Sequence, residues 1–223
     1  AADSADRKLN IAFGFQQRYG PGYRKARQLV ESGGIGGIRL AHAHFIKGVF
    51  TGDEKPSLPP ATYEEKIRQW HVWRETFGDI IVETYCHSID VLNWFLGGRP
   101  ERAFGTGGRT VEQRGDILDH CDVTFTYRDS VQAVLTGAQL TPRFYRNVHE
   151  QFYGSQGVLE TAREYWTHHR DRNDAVTERE PQDITINGLQ EFVKRIQDGQ
   201  PDNTGVRGAE STLTAILGRM AIN

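Results

Sequence analysis

The chain has 223 residues and a net charge of −2, with a pI near 6.5, so it lacks the basic surface typical of nucleic-acid-binding proteins. No apolar run reaches the length of a membrane span and no signal peptide is visible. Two cysteines are too few for a disulfide framework, and we expect buried free thiols, which leaves the compartment, cytoplasmic or exported, open. The only methionine is Met220, and we expect a piece of a longer protein.

The first part of the chain alternates between short apolar runs and glycine-rich turns. It predicts a strand over Leu9–Phe15, a helix that starts at Pro21 and ends before the glycines at 33–34, and a strand over Arg39–Lys47. In the second strand His42 and His44 fall on one face and small or aromatic residues on the other. A loop rich in glycine and proline follows over 48–62.

The segment Gly78–Gly98 organises the rest of the chain. It predicts one helix of about five turns, because Asp79 suits its start and Gly97 suits its end. At about 100° per residue, one side of this helix is apolar and suited to burial. That side carries Ile81, Tyr85, Ile89, Leu92 and Leu96.

The opposite side of the same helix is polar. It carries Glu83, His87, Asp90 and Trp94. A solvated outer face usually contains Lys and Arg, and this one has neither. A histidine one turn from a carboxylate is a unit that can transfer protons near neutral pH. We therefore predict that His87 faces a cleft.

The second half of the chain predicts a series of neighbouring strands followed by two helices. The strands are Arg102–Thr110, Leu118–Tyr127, Val131–Leu140, Arg146–Tyr153 and Val158–Glu160, with a tight hairpin at 127–130. His168–Glu180 is predicted as an exposed loop or irregular edge, and the helices as 184–198 and 207–221. This order indicates an α+β fold, an open and mainly antiparallel β-sheet with helices on one face, in a single domain.

These landmarks resemble the C-terminal domain of the Gfo/Idh/MocA oxidoreductases, a dihydrodipicolinate-reductase-like domain. The likeness covers nearly the whole chain and rests on four segments: Gly14–Tyr19, Glu31–Ile38, Trp73-Arg74 and Gly78–Asp90. The resemblance implies an NAD(P)-dependent dehydrogenase acting on a sugar or polyol, with residues 1–223 as its substrate-binding and oligomerisation domain. No complete Gly-x-Gly-x-x-Gly occurs here, so we expect no cofactor on this chain and no activity without a Rossmann domain.

The resemblance also implies roles for individual residues. His87 would be the acid/base on the substrate hydroxyl, Glu83 would orient or bind, and Asp90 would anchor the helix. Many relatives have Asp at the position of Glu83. The residues predicted to contact the substrate are Arg18, Tyr19, Trp73, Arg74, Tyr85, Asp90 and Arg109. A homo-oligomer formed through the sheet is expected, while the substrate itself and the choice of NAD or NADP stay open.

Two other functions stay open at this point. His42 and His44 point the same way on a strand and could ligate a metal with His120 or Glu83, as in a metal-dependent hydrolase or lyase. We favour no metal, because alternate strand positions commonly project into a cleft or solvent. The second alternative is a non-catalytic module that binds carbohydrate or mediates oligomerisation.

Overall fold

A computed structural model describes residues 9–49, 60, 62–111 and 115–222. Its strands are β1 (Ile38–Gly48), β2 (Arg102–Gly108), β3 (His120–Thr126), β4 (Gln132–Thr141), β5 (Arg146–Gly154), β6 (Val158–Ala162), β7 (Tyr165–Asp171) and β8 (Asp174–Arg179). They form one open sheet in the order β2-β3-β4-β1-β5-β6-β7-β8. The neighbours β1 and β4 run parallel, and the other neighbouring pairs are antiparallel.

The α-helices of the described chain lie before, between and after these strands. They are α1 (Pro21–Glu31), α2 (Tyr63–Arg68), α3 (Arg74–Phe77), α4 (Ile80–Glu83), α5 (Cys86–Phe95), α6 (Ile184–Gln197) and α7 (Gly205–Ile222). Pro21 begins α1, where its missing N–H costs nothing. None of the helices in these described ranges combines the length and the apolar character that crossing a membrane requires. The loop predicted over 48–62 lies mostly outside the described residues.

One face of the sheet forms the core. On β1 the alternate residues Ala43 and Phe45 are buried, whereas His42 and His44 lie half-buried on the other face. Helix α5 packs on the buried face, and its Phe95 ring stacks on Phe152 of β5 with 4.6 Å between ring centroids. The predicted α+β fold with a mainly antiparallel open sheet is therefore confirmed. Both cysteines are buried free thiols, also as predicted.

Two predicted segments differ from the structure. The run Leu9–Phe15 is not a strand of the sheet; it makes one isolated bridge, from Ile11 to Asn203, just before α7. The segment His168–Glu180 is largely regular, because β7 and β8 pair as an antiparallel hairpin at the sheet edge. The sequence did not show these strands because polar residues occupy both of their faces, so polar and apolar residues do not alternate. For example, the hydroxyls of Thr167 and Thr177 hydrogen-bond between β7 and β8 at 2.9 Å.

The predicted five-turn helix is also interrupted. The N–H groups of Thr84 and Tyr85 both donate to the carbonyl of Ile80, at 2.9 and 3.1 Å, and the second bond spans five residues instead of four. Such a wide turn separates α4 from α5, and turns of this kind are frequent at functional sites. The carbonyl of Glu83 accepts a hydrogen bond from the Cys86 thiol at 3.0 Å. His87 consequently lies in the first turn of a new helix rather than in the middle of a long one.

Candidate active site

A cleft of about 380 Å³ opens where the carboxyl ends of β1 and β4 meet the α4–α5 break. Its lining residues are Lys47, Gly48, Val49, Glu83, Thr84, His87 and Gln139. Because β1 and β4 are parallel, their carboxyl ends lie at the same edge of the sheet. Lys47 and Gln139 are direct partners in the ladder between these strands. The cleft therefore brings together side chains that are far apart in the sequence.

His87 lines this cleft together with two other titratable residues, Lys47 and Glu83. The rings of His87 and Phe15 form an edge-to-face contact, with 5.9 Å between ring centroids. The Nδ1 atom of His87 is buried and has no hydrogen-bond partner among the described residues. Burial, and then the positive charges of Lys47 and Arg163, lower the pKa of His87 to about 4. The imidazole is therefore neutral near pH 7 and carries a lone pair that can accept a proton.

The side chain of Lys47, the second-last residue of β1, lines the cleft. Lys47 is two residues after Phe45 and four after Ala43, so its side chain points to the same, helix-covered face of the sheet. Its Nζ is 4.5 Å from the centroid of the Phe45 ring. Burial, Arg146 and Arg163 lower the pKa of Lys47 to about 8, while Glu83 opposes them. Lys47 is thus charged in most molecules at pH 7, in a poorly hydrated position.

The helix that carries His87 is held to the rest of the fold by two buried carboxyl groups. Asp90 accepts hydrogen bonds from Arg18 at 2.7 and 2.9 Å and from the Ser211 hydroxyl at 2.7 Å. Glu150 on β5 accepts hydrogen bonds from Ser88 at 2.7 Å and from Tyr23 at 3.1 Å.

The Glu150 carboxyl also accepts from the Thr161 hydroxyl at 2.9 Å and is fully buried. Burial raises the pKa of Glu150 to about 7, and its three hydroxyl partners oppose this rise. Ser88 is the neighbour of His87 in the sequence, so this buried group fixes the backbone from which the imidazole projects.

Of the residues predicted to form the site, Glu83 and His87 line the cleft and the other seven lie outside it. Asp90, with Arg18, anchors α5. Tyr85 is completely buried, with its ring against Gly137, where an added Cβ would clash with a ring atom.

The remaining four predicted residues lie around other elements. The Tyr19 ring lies under the Arg24 guanidinium at 5.7 Å and contacts the α6 backbone. Arg74 forms an ion pair of 3.0 Å with the buried Asp79 at the start of α4. Trp73 lies beneath the ammonium group of Lys66, and Arg109 is exposed just beyond β2.

The sequence-based selection missed Lys47 and Gln139. The sequence does contain an indication of both residues: each is a polar residue at a strand position whose side chain points toward the core. Lys47 follows the buried Ala43 and Phe45 at intervals of two, and Gln139 follows Leu135 in the same way. A polar residue at the last inward position of a strand is expected at a cleft. That the two strands are adjacent and parallel could not be read from local pattern.

The alternative metal site is not assembled in this fold. His42 and His44 lie on the face of β1 opposite to Lys47, and His44 stacks on His149 of β5 with 4.7 Å between centroids. Glu83 belongs to the helix-covered side. Within the described ranges, no group of three or more His, Cys, Asp or Glu side chains is placed to hold a metal ion.

The sequence matches the family profile described as the GFO/IDH/MocA C-terminal domain over residues 23–160. The chain belongs to this family. This confirms the resemblance found in the sequence and makes the chain a domain of the oxidoreductase class. The eight-stranded sheet agrees with that assignment.

Related proteins are known at moderate similarity. Inositol 2-dehydrogenase 3 of Saccharopolyspora erythraea is 30% identical over 95 residues, which are 43% of this chain and 22% of that protein. Inositol 2-dehydrogenase of Rhizobium meliloti is 23% identical over 157 residues, 70% of this chain and 40% of that protein. The matches span less than half the length of these curated relatives.

The fold is shared with solved structures of dehydrogenases. Levoglucosan dehydrogenase in complex with NADH and levoglucosan superposes with a TM-score of 0.78 at 14% identity, over 97% of this chain and 65% of that one. At this identity the likeness shows a common fold for the domain.

Proposed function

We propose that this chain is the substrate-binding and proton-transferring half of an NAD(P)-dependent dehydrogenase that oxidises a CH–OH group of a sugar or polyol. The observation that carries the proposal is the neutral imidazole of His87, half-buried in a cleft with an unpaired nitrogen. The names of the relatives, inositol 2-dehydrogenase and levoglucosan dehydrogenase, support a polyol or sugar as the substrate.

Oxidation of a secondary alcohol removes a hydride from carbon and a proton from oxygen. His87 accepts the hydroxyl proton, and it returns the proton when the reaction runs in reverse. Glu83 lies at the exposed mouth of the cleft, where the Thr84 hydroxyl donates to its Oε2 at 2.9 Å. Gln139 and Lys47 line the same cleft, and their amide and ammonium groups would bind the oxygens of the substrate.

The hydride acceptor is not supplied by this chain. Dinucleotides bind at glycine-rich turns of doubly wound parallel sheets, and the described sheet has one parallel pair, β1–β4. A nicotinamide dinucleotide held by a second domain would take the hydride. An exposed apolar stripe on α6, formed by Ile186, Leu189, Val193 and Ile196, supports the presence of a covering domain.

The open face of the sheet supports assembly into a homo-oligomer. His42, His44, His149 and Tyr153 form a half-buried layer of rings there, and the helices of the described chain pack on the opposite face. A second copy of the chain, applied sheet to sheet, would cover this layer.

The proposal is tested by assaying the 223-residue chain and a protein in which the same chain is preceded by a Rossmann domain. Both are given myo-inositol or glucose with NAD⁺ or NADP⁺, and the reduced cofactor is measured by absorbance. We expect turnover by the two-domain protein only. Metal-stimulated hydrolysis of glycosides by the chain alone, without reduction of either cofactor, would instead support the metal-dependent alternative.

A further inference from the structure

We propose that the substrate bound in this cleft carries an anionic group, a carboxylate or a phosphate, which Lys47 and Arg146 bind. The inference rests on the proposed function and narrows its substrate class from neutral sugars and polyols to acidic ones.

The geometry behind this inference is a row of three polar side chains across three adjacent strands. In the sheet order β4-β1-β5, Gln139 is paired with Lys47, and Lys47 is paired with Arg146. Neighbouring strands lie about 4.8 Å apart, so the row extends over about 10 Å, the size of one sugar ring with a charged substituent.

All three residues of the row face the side on which His87 lies. Lys47 is an even number of residues from the buried Phe45, and Arg146 from the buried Glu150, so each pair points to the same face of the sheet. The same holds for Gln139 and the buried Leu135. The row therefore lies on the helix-covered face of the sheet, with Lys47 and Gln139 lining the cleft and Arg146 exposed next to Lys47.

The charge of the row is unbalanced. Among the described residues neither Lys47 nor Arg146 has a carboxylate within 4.0 Å, whereas Arg163 is paired with Asp183 at 2.6 Å. Lys47 loses hydration through burial and feels Arg146 and Arg163 as like charges. Two neighbouring cations with no carboxylate within 4.0 Å repel each other, and Glu83, at the mouth of the cleft, opposes this effect on Lys47 only in part. An anion between Lys47 and Arg146 would offset that repulsion.

A second observation points to a ligand with hydroxyl groups as well. Gln139 is only 6% exposed, yet its Oε1 has no hydrogen-bond donor among the described residues. Buried side-chain oxygens are nearly always hydrogen-bonded. A sugar hydroxyl beside the anionic group would donate to this oxygen, so the row can recognise a charged sugar at two points.

Binding of an anion here would also act on the base. The charges of Lys47 and Arg163 contribute to the low pKa of His87. An anionic group beside them would cancel part of this effect and raise the pKa of His87 toward the working pH. Since a base is most effective when its pKa lies near the working pH, the charged group of the substrate would improve its own proton transfer.

The experiment compares three sugars with the same ring: D-glucuronate, D-glucose 6-phosphate and D-glucose. Binding to the 223-residue chain is measured by calorimetric titration, and the His87 pKa by NMR of the imidazole. We expect at least one charged sugar to bind about tenfold or more tightly than glucose, as one charge-assisted contact provides, and to raise the His87 pKa. The carboxylate and phosphate arms show which anion fits.

Lys47→Gln and Arg146→Gln should each remove most of this preference. Arg128→Gln is the matched control, because Arg128 is exposed at the opposite end of β4. Equal binding of the three sugars, no binding of any, or a preference that survives both substitutions would overturn the inference. Equal binding of glucose would leave the dehydrogenase proposal standing, whereas charged-sugar binding in a two-domain protein that never reduces the cofactor would contradict the dehydrogenase proposal alone.

Discussion

Arg18 donates two hydrogen bonds to the carboxylate of Asp90, at 2.7 and 2.9 Å, across 72 residues of sequence. Asp90 lies on the same helical stripe as His87, which in the sequence suggests a contact with substrate. In the structure its side chain is fully buried, and the Ser211 hydroxyl of α7 donates to it at 2.7 Å. The pair therefore fixes the position of α5, and through it the position of the imidazole.

Asp90→Asn should lower the free energy of unfolding. The substitution leaves Arg18 facing a neutral amide, and breaking a buried ion pair costs about 3–5 kcal/mol. We expect about 3 kcal/mol, since 19% of the Arg18 side chain stays exposed. Urea denaturation measures the change. The control is Glu64→Gln, which breaks the exposed pair with Arg68 and should cost less than about 0.5 kcal/mol. Similar losses in both variants would contradict the anchoring role.

The buried Glu150 should make stability depend on pH. Its pKa is raised to about 7 in the folded protein, from about 4.5 in the unfolded chain. The stabilisation that comes from holding the proton is complete below about pH 4.5 and is lost as the pH rises through 7. Between pH 5 and pH 8 this loss amounts to about 2–3 kcal/mol.

Glu150→Gln cannot ionise and should lack this component. Denaturation of both proteins at pH 5 and pH 8 isolates it, because other titrating groups contribute equally to the two. The difference in unfolding free energy between variant and wild type should therefore move in favour of the variant as the pH rises. A difference that is the same at both values would show that Glu150 titrates normally.

Local pattern predicted most of the fold, because apolar runs form the strands, glycines and prolines mark many of their ends, and β3 alternates clearly between buried apolar and outward polar residues. It did not predict the break after α4, which lies beside a contact between Tyr85 and a strand about 50 residues later in the chain. The Tyr85 ring fits against β4 only because residue 137 is glycine. His87 and Glu83 were found from one helical stripe. Lys47 and Gln139 were missed because their proximity follows from the parallel pairing of two strands about 90 residues apart in the chain.

Tyr85→Phe should leave stability unchanged or raise it by up to about 1 kcal/mol. The Tyr85 hydroxyl is buried without a hydrogen-bond partner among the described residues, so its removal relieves a desolvation cost. The matched control is Tyr127→Phe, which removes a 2.7 Å hydrogen bond to Asn93 and should cost about 1–2 kcal/mol. Thermal unfolding compares the two. A larger loss for Tyr85→Phe than for Tyr127→Phe would show that the Tyr85 hydroxyl has a stabilising partner.

The proposed oligomer should depend on the open face of the sheet. His44→Asp places a carboxylate in the ring layer next to His149, and burying that charge at an interface is unfavourable. Light scattering of the wild-type chain should give the mass of at least a dimer, and His44→Asp should give a monomer. Leu189→Lys on the apolar stripe of α6 is the control. A mass that falls only with Leu189→Lys would place self-association on that helix instead.

If His87 accepts the substrate proton, His87→Asn should lower the turnover of the two-domain protein. Loss of a general base typically lowers kcat by about 10²–10⁴-fold, and we expect a loss in this range with unchanged affinity for the cofactor. His169→Asn, at an exposed position on β7, is the matched control and should retain normal kcat. A kcat for His87→Asn within about threefold of wild type would contradict the role of His87 in proton transfer.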